Sequence, residues 1–305
     1  MITNKNLLPR QLGDVHIRLL RIYKVVIESG GFSAAEVELN ISRPAISLAI
    51  TELESLLTMK LCHRGRSGFL ITEQGEQVYQ STLQLLGGIA NFRAEMNAIK
   101  TDLVGELNIG ITDNLVTIEQ MRITRALSAL KHRAPEIFIN IRMMPPNEIE
   151  SAILNGQLHI GVVPEFRTLP GINYFRLYKE QSLLYCSANH PLFTQDLHRI
   201  SDGALIQYDA VVPNYPQSVD IKQQQKKLHA AATSTDREGI AFLILTGRFI
   251  GFLPTHFAQR WVVGDKLRAI EAHKRKFNTK FSAITSKGAR SHLILEACLE
   301  ELAKT

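Results

Sequence analysis

The 305-residue chain has only three cysteines, Cys62, Cys186 and Cys298, and they stand far apart with no metal-ligand spacing. That excludes a disulfide scaffold and a cysteine-based zinc site, and predicts reduced, buried thiols. No apolar run is long enough to span a membrane. The first residues, MITNKNLLPRQLGDVHIRLL, contain neither a continuous apolar stretch nor a small-residue cleavage site, so the expectation is a cytoplasmic protein with no membrane partner. A phosphate-binding loop, a G-x-S-x-G elbow and an H-E-x-x-H pair are also missing, and the ten histidines are scattered. These absences argue against an enzyme and against any cofactor or metal. Hydrophobic residues make up 45% and charged residues 21%, as in ordinary globular chains, and the length calls for more than one domain.

A net charge of +6 invites a nucleic-acid reading, but its distribution does not carry one. Residues 1–100 hold 11 Lys/Arg against 9 Asp/Glu, residues 101–219 hold 9 against 12, and residues 220–290 hold 14 against 5. The excess lies in the C-terminal third, where a solvated basic face is the simpler account. Any case for DNA must come from local pattern.

The N-terminal hundred residues supply that pattern. Leu19, Ile22, Tyr23, Val26 and Ile27 form one helical stripe, ended by Gly30-Gly31. Ser33 and Glu36 have the S-x-x-E spacing of a capping box, which predicts a short second helix from there to Glu38. Asn40 suits the turn. Ser42 is placed to cap a third helix, with Pro44 tolerated in its first turn. On this third helix Ile46, Ile50, Leu53 and Leu57 share the inner face. Pro44, Leu48 and Thr51 point the other way, with Arg43 and Ser47 beside them. A helix with a small, polar outer N-terminal face fits a major groove. The acid-free segment KLCHRGRSG (60–68) reads as a basic hairpin, its Arg64 and Arg66 suited to phosphate or minor-groove contact.

Taken in order, Phe32-Ser33-Ala34-Ala35, Ser42-Arg43-Pro44-Ala45-Ile46-Ser47, Leu53-Glu54, Lys60-Leu61, Arg64 and Ile71-Thr72-Glu73-Gln74-Gly75 resemble the N-terminus of LysR-type transcriptional regulators. The resemblance implies operator DNA contacts at the start of the third helix and on the hairpin. The candidate residues are Ser33, Ala34, Ser42, Arg43, Pro44, Ser47, Leu48, Thr51, Arg64 and Arg66. The chain departs from the family pattern at Arg43 (usually Gln), Leu48-Ala49 (usually a basic or polar pair), Thr58 (usually Gly) and Cys62 (usually Phe).

Beyond the hairpin, Val78, Thr82, Leu85, Ile89, Phe92, Met96 and Ile99 alternate at spacings of four and three, a heptad seam that predicts a partner helix. Gly87-Gly88 weaken its middle. The resemblance makes this the linker helix of a homodimer and implies a homotetramer, with room for contact to RNA polymerase. From residue 103 the pattern becomes strands and helices in alternation: 107–111, helix 117–132, FINIRM (138–143), helix 147–156, LHIGVV (158–163), then 173–187, ALIQY (204–208), helix 220–228, AAATS (230–234), helix 236–246, FIGFLP (249–254), KFSAIT (280–285) and helix 290–303. This half is similar to the family's effector-binding domain, of periplasmic-binding-protein type.

The expected fold is therefore α/β with an N-terminal α-rich winged helix-turn-helix (1–76), a long linker helix (77–102) and a two-lobed α/β effector domain (103–305). Lobe I would comprise 103–164 and 267–305, and lobe II 165–266. Ligands in such sheets bind beyond the carboxyl ends of the strands, at the switch between lobes. That places a small-molecule effector near Thr112, Asp113, Asn114, Pro146, Asn147, Val163, Pro164, Gln207, Tyr208, Ser234, Thr235 and Pro254. Asp113, Glu165, Asp209 and Asp236 would disfavour a highly charged anion. The alternative functions are a solute-binding module or a small-molecule enzyme built on the α/β half. The N-terminal motifs and the absent signal sequence weigh against both.

Overall fold

The computed structural model describes residues 12–65, 68–98, 105–119, 122–196, 200–287 and 293–304. The chain divides into two compact units, residues 1–90 and 91–305.

The first unit opens with α1 (Asp14–Glu28), α2 (Phe32–Leu39) and α3 (Arg43–Leu57). The apolar stripes fold as their spacing dictates: Leu19, Tyr23 and Val26 meet Ile46, Ile50, Leu53 and Leu57 in one core. Burying each such side chain contributes about 1.5–3 kcal/mol relative to leaving it exposed. The turn between α2 and α3 closes at Asn40, which adopts the left-handed conformation (φ 52°) its short amide side chain tolerates. One expectation fails here. Ser33 is the second residue of α2, not its cap, because Gly31 with φ 143° precedes the helix and no side chain caps it. The hairpin follows as β1 (Cys62–Gly65) and β2 (Gly68–Ile71), antiparallel, with Arg64 opposite Phe69. Then α4 (Glu73–Ala98) runs through Gly87-Gly88 without interruption.

The second unit is built on one nine-stranded sheet. β3 (Glu106–Ile111), α5 (Arg122–Arg133), β4 (Phe138–Met143), α6 (Pro146–Leu154) and β5 (Ile160–Pro164) make a parallel βαβαβ layer. The sixteen-residue β6 (Ile172–Ser187) leaves it for a second layer. That layer holds α7 (Asp202–Leu205), β7 (Asp209–Pro213), α8 (Val219–Gln225), β8 (His229–Ser234), α9 (Arg237–Leu245), β9 (Ile250–Pro254), α10 (Thr255–Val262) and β10 (Leu267–Ala269). β11 (Lys276–Ser286) returns antiparallel to β6 over its length, and α11 (Leu293–Lys304) closes the first layer against α5. Strand order is β4-β3-β5-β11-β6-β9-β7-β8, with β10 paired to Tyr185–Ser187 at the far end of β6. Two lobes thus share one sheet, and β6 and β11 are the strands common to both.

Elements α10 and β10 are additional to those expected, β11 starts four residues earlier than KFSAIT, and two further boundaries move. The helix expected at 117–132 begins at Arg122, after a 3-10 turn at Leu115–Thr117. ALIQY is not a strand. Ser201 caps α7 by accepting the Ala204 N–H, so the following strand is DAVVP, displaced along the sequence. The three cysteines are buried thiols, and burial pushes those of Cys186 and Cys298 up to about 12 and about 11.

Candidate nucleic-acid interface and ligand cleft

The outer face of α3 presents Arg43, Pro44, Leu48 and Thr51 to solvent, with Ser47 half-buried. Leu48 is 70% exposed whereas its neighbour Ala49 is 7% exposed and lies in the core. The unusual Leu48-Ala49 pair therefore alters the outer face at one position only. Ser42 occupies the cap position of α3 but its side chain makes no capping bond. Glu36 of α2 takes that role: the Arg43 N–H donates to Glu36 Oε1 at 3.0 Å. Ser33 and Ala34 are exposed on α2. Arg66 lies outside the described residues, and Arg64 stands on β1 opposite Phe69.

Two motif residues hold the hairpin beside α3. Glu54, 4% exposed, accepts from Lys60 Nζ (2.7 Å), Leu61 N–H (2.9 Å) and Cys62 N–H (3.4 Å). Burial alone would raise its pKa, but these donors outweigh it and hold the carboxyl below its usual range. Thr72 donates to Lys60 O (2.7 Å) and accepts the Gly75 N–H (2.9 Å), capping α4. Only glycine fits at 75, since an added Cβ would stand 2.1 Å from Leu61 O. Phe69 of β2 meets Phe32 edge-on at 5.8 Å.

The seam of α4 divides. Val78 packs on the first unit's own core and Thr82 is buried, its hydroxyl bonded to Val78 O at 2.7 Å. Leu85 and Ile89 are half-buried, while Phe92 and Met96 are 60% and 42% exposed. Ile99 lies outside the described residues.

In the second unit a cavity of about 300 Å³ opens at the carboxyl ends of β3, β4, β7 and β8. Lobe I lines it with Thr112, Asp113, Met143, Met144, Pro145 and Pro146, and lobe II with Tyr215, Thr235, Asp236, Arg237 and Glu238. Four of the expected residues, Thr112, Asp113, Pro146 and Thr235, are therefore in its wall. The Thr112 hydroxyl is buried and has no hydrogen-bond partner among the described residues. Asn114 and Ser234 stand beside the cavity. Asn114 Nδ2 donates to Asp113 Oδ2 at 2.8 Å, and Ser234 Oγ accepts from Asp236 N–H at 3.4 Å.

The other expected residues are placed elsewhere. Val163 is fully buried in the core under α6, Pro164 pairs with Phe281 on β11, and Asn147 points outward from α6. Pro254 pairs with Ser182 on β6. Gln207 and Tyr208 sit before β7, at the opposite end of that strand, where Tyr208 packs on His190 with ring centroids 5.1 Å apart. Because the strand is DAVVP, the residue carried to the cleft is Tyr215, whose hydroxyl burial pushes its pKa up. Asp209 likewise lies away from the cavity, beside His229.

Sequence reasoning missed the most constrained group in the cleft, Arg237. It is the first residue of α9, 7% exposed, and its Nη1 donates to Asp113 Oδ1 at 2.7 Å while its backbone N–H donates to Asp113 Oδ2. Nη2 lies 3.4 Å from Glu180 Oε1 on β6. Burial alone would lower the guanidinium pKa, yet Tyr215, Glu180 and Asp113 more than offset this and hold it charged. Glu180 Oε2 is 3.0 Å from His256 Nε2, and His256 Nδ1 is 2.7 Å from Thr117 Oγ1. Asp236 caps α9 through the Gly239 N–H at 2.6 Å. Of the three acids in the cavity wall, Asp113 and Asp236 are thus engaged by partners, and Glu238 stands beside them.

The model of bacterial regulatory helix-turn-helix proteins of the lysR family matches residues 17–76, and the LysR substrate binding domain matches residues 100–305. The transcriptional activator BauR of Pseudomonas aeruginosa is 48% identical over 293 residues, 96% of each chain.

The chain belongs to the LysR family.

It is thus a DNA-binding transcriptional regulator with an effector-binding domain, and its relatives carry regulator names, not enzyme names. A probable regulator of Synechococcus elongatus, LrrA, is 27% identical over 79% of this chain and 81% of its own. Among solved structures, the LysR regulator CbnR aligns over 94% of this chain and 98% of its own with a TM-score of 0.65 at 20% identity, and CbnR in complex with its target DNA gives 0.66 at 21%. These two likenesses establish the LysR fold for the chain. Among the described residues, no helix is long and apolar enough to cross a membrane.

Proposed function

We propose that this LysR regulator reads operator DNA with the outer face of α3 and the basic hairpin, pairs through α4 as a homodimer that assembles to a homotetramer, and responds to a small molecule held in the interlobe cleft. The observation that carries the effector part is the Thr112 hydroxyl, buried, without a partner among the described residues, and in the wall of a cavity at the strand ends. A buried hydroxyl left unpaired is unfavourable by about 1–3 kcal/mol, which a ligand that bonds it recovers. The exposed Phe92 and Met96 on the heptad seam support a partner helix. Residues 1–76, 77–102 and 103–305 are the functional divisions we assign. BauR is named an activator, and identity of 48% across both chains favours the same sign here, with contact to RNA polymerase as its route and the cytoplasm as its location.

Arg43 and Ser47 are our direct readers, with Thr51 and the exposed Leu48 suited to a thymine methyl. Arg64 and Arg66 are our phosphate contacts, and Ser33, Ala34, Ser42 and Pro44 flank them. Binding-site selection with the purified protein tests this. Arg43→Ala should change preference at one base position by about 1–3 kcal/mol, and an equal loss on every sequence would make it a phosphate contact. Arg64→Ala should weaken all sites and reduce the salt slope by about one ion. Thr112→Val tests the cleft. It should abolish the effector response of a reporter while preserving DNA binding, and an undiminished response would remove the cleft from the mechanism.

A further inference from the structure

Asp113 belongs to lobe I and Arg237 to lobe II, 124 residues apart in sequence, and between them they close the cleft. The carboxylate of Asp113 takes the Arg237 backbone N–H and the Arg237 guanidinium together, and Asn114 Nδ2 supplies a third donor. A backbone N–H in the first turn of a helix with a guanidinium beside it is how a protein grips an anion. Here the gripped anion is the chain's own side chain. The grip extends further: Arg237 also reaches Glu180 on the shared strand β6, Glu180 reaches His256 of lobe II, and His256 returns to Thr117 of lobe I. Lobe I is thus tied to lobe II at two points, Asp113 to Arg237 and Thr117 to His256, and Glu180 of β6 links the two. The Thr112 hydroxyl beside this chain of contacts stays unpartnered among the described residues, so the lock leaves part of the cleft's bonding capacity open.

We propose that Asp113 is an internal lock on the cleft, a tethered carboxylate that occupies α9 and Arg237 and holds the two lobes together, and that opening it is the step an effector must drive. The proposal rests on the cleft being the sensing site, and the lock itself is read out with no ligand added. The second interlobe contact, His256 to Thr117, is a single hydrogen bond, whereas Asp113 holds the opposite lobe through both a backbone N–H and a guanidinium. Asp236, which caps the same helix through Gly239, belongs to lobe II and cannot join the lobes.

Hydrogen exchange of the full-length protein without ligand tests the lock. Asp113→Asn keeps the shape and removes the charge. It should speed exchange at least tenfold in both 112–118 and 237–241, while the Trp261 emission transition shows lobe II still folded. Asp236→Asn should speed 237–241 alone. Should D113N fail to fold, D113N/R237M removes both charges together, which a buried pair tolerates better than loss of one partner. That double variant should show the same paired acceleration. Faster exchange on one side only, or on neither, overturns the lock. Because no effector is present, this result is independent of Thr112→Val: unaltered exchange sinks the lock alone, and an unaltered effector response in T112V sinks the sensing site alone.

Discussion

Replacing Glu54 with Ala should detach the hairpin from α3 while leaving the α/β unit intact. The magnitude follows from what the carboxylate holds. Its strongest contact to the main chain is the Leu61 N–H at 2.9 Å, and leaving that buried donor unpaired costs about 1–3 kcal/mol. The 3.4 Å contact from Cys62 is long and adds little. Lys60 is bonded at 2.7 Å, but its side chain is 73% exposed, so this pair is worth at most about 1 kcal/mol. Some of the loss is returned, because the carboxylate no longer has to be desolvated. The net expectation is about 2–3 kcal/mol, or roughly 10–20 °C in the melting temperature of a unit of this size. The chain has a single tryptophan, Trp261, on α10 in the second unit. Helical circular dichroism therefore reports both units and tryptophan emission only the second. The dichroism transition of the first unit should fall while the emission transition stays in place. Glu54→Gln keeps an oxygen for Leu61 and should lose only about 1 kcal/mol. The folded-state pKa of Glu54 lies below its ordinary 4.5, so its contribution is present above that value and is lost as pH falls through the folded one. The gap between wild type and E54Q should accordingly close on acidification below about pH 4.5. A loss under 1 kcal/mol at pH 7 in E54A, or a shift of the tryptophan transition alongside it, would refute the assignment.

Three further outcomes follow from single positions. Thr58 ends α3 with φ 53°, a conformation that strains a β-branched residue, so Thr58→Gly should stabilise the first unit by about 0.5–1 kcal/mol in the same melt after the entropy of glycine is deducted. Gly75→Ala should destabilise it by about 2–3 kcal/mol, because the added carbon meets Leu61 O at 2.1 Å and Tyr23 Oη at 2.8 Å, backbone and buried ring that cannot give way cheaply. Phe92→Glu places a charge on the exposed half of the heptad seam. Sedimentation should show a shift from the assembled form toward monomer without loss of helix content, and an unchanged mass would exclude the seam as the pairing surface.

Where the sequence was legible, the information was local. The α1 and α3 stripes repeat at helical spacing, so Leu19, Tyr23, Ile46, Ile50 and Leu53 could be assigned to one core without knowing the fold. The seam of α4 was legible in period but not in partner. A 4-3 repeat says that a face is apolar, not what covers it, and Val78 turns out to pack on the core of its own unit. Caps were less legible than stripes. Ser33 and Ser42 both had the right residue type, yet a glycine with positive φ starts α2 and a carboxylate from the neighbouring helix caps α3. A cap supplied across a turn leaves no short-range spacing to read.

The cleft shows the same limit more sharply. ALIQY and DAVVP are adjacent apolar runs of equal length, and periodicity cannot choose between them. The choice was written in Ser201-Asp202-Gly203-Ala204, a cap followed by one turn of helix, which moves the strand and replaces Tyr208 with Tyr215 in the cavity. Arg237 had no local signal at all. Between Asp236 and Glu238 near the start of a helix, it reads as one more solvated charge. It becomes the centre of the cleft only because the turn after β3 carries Asp113 directly opposite, a pairing fixed by the order of strands in the sheet. A residue whose role depends on contacts 57 and 124 positions away is set by topology, and topology is what one-dimensional pattern reads least well. The converse is useful for this family of folds. At the first turn of the helix after β8, a lone arginine beside a helix-capping acid marks a position where the opposite lobe should be searched for a carboxylate.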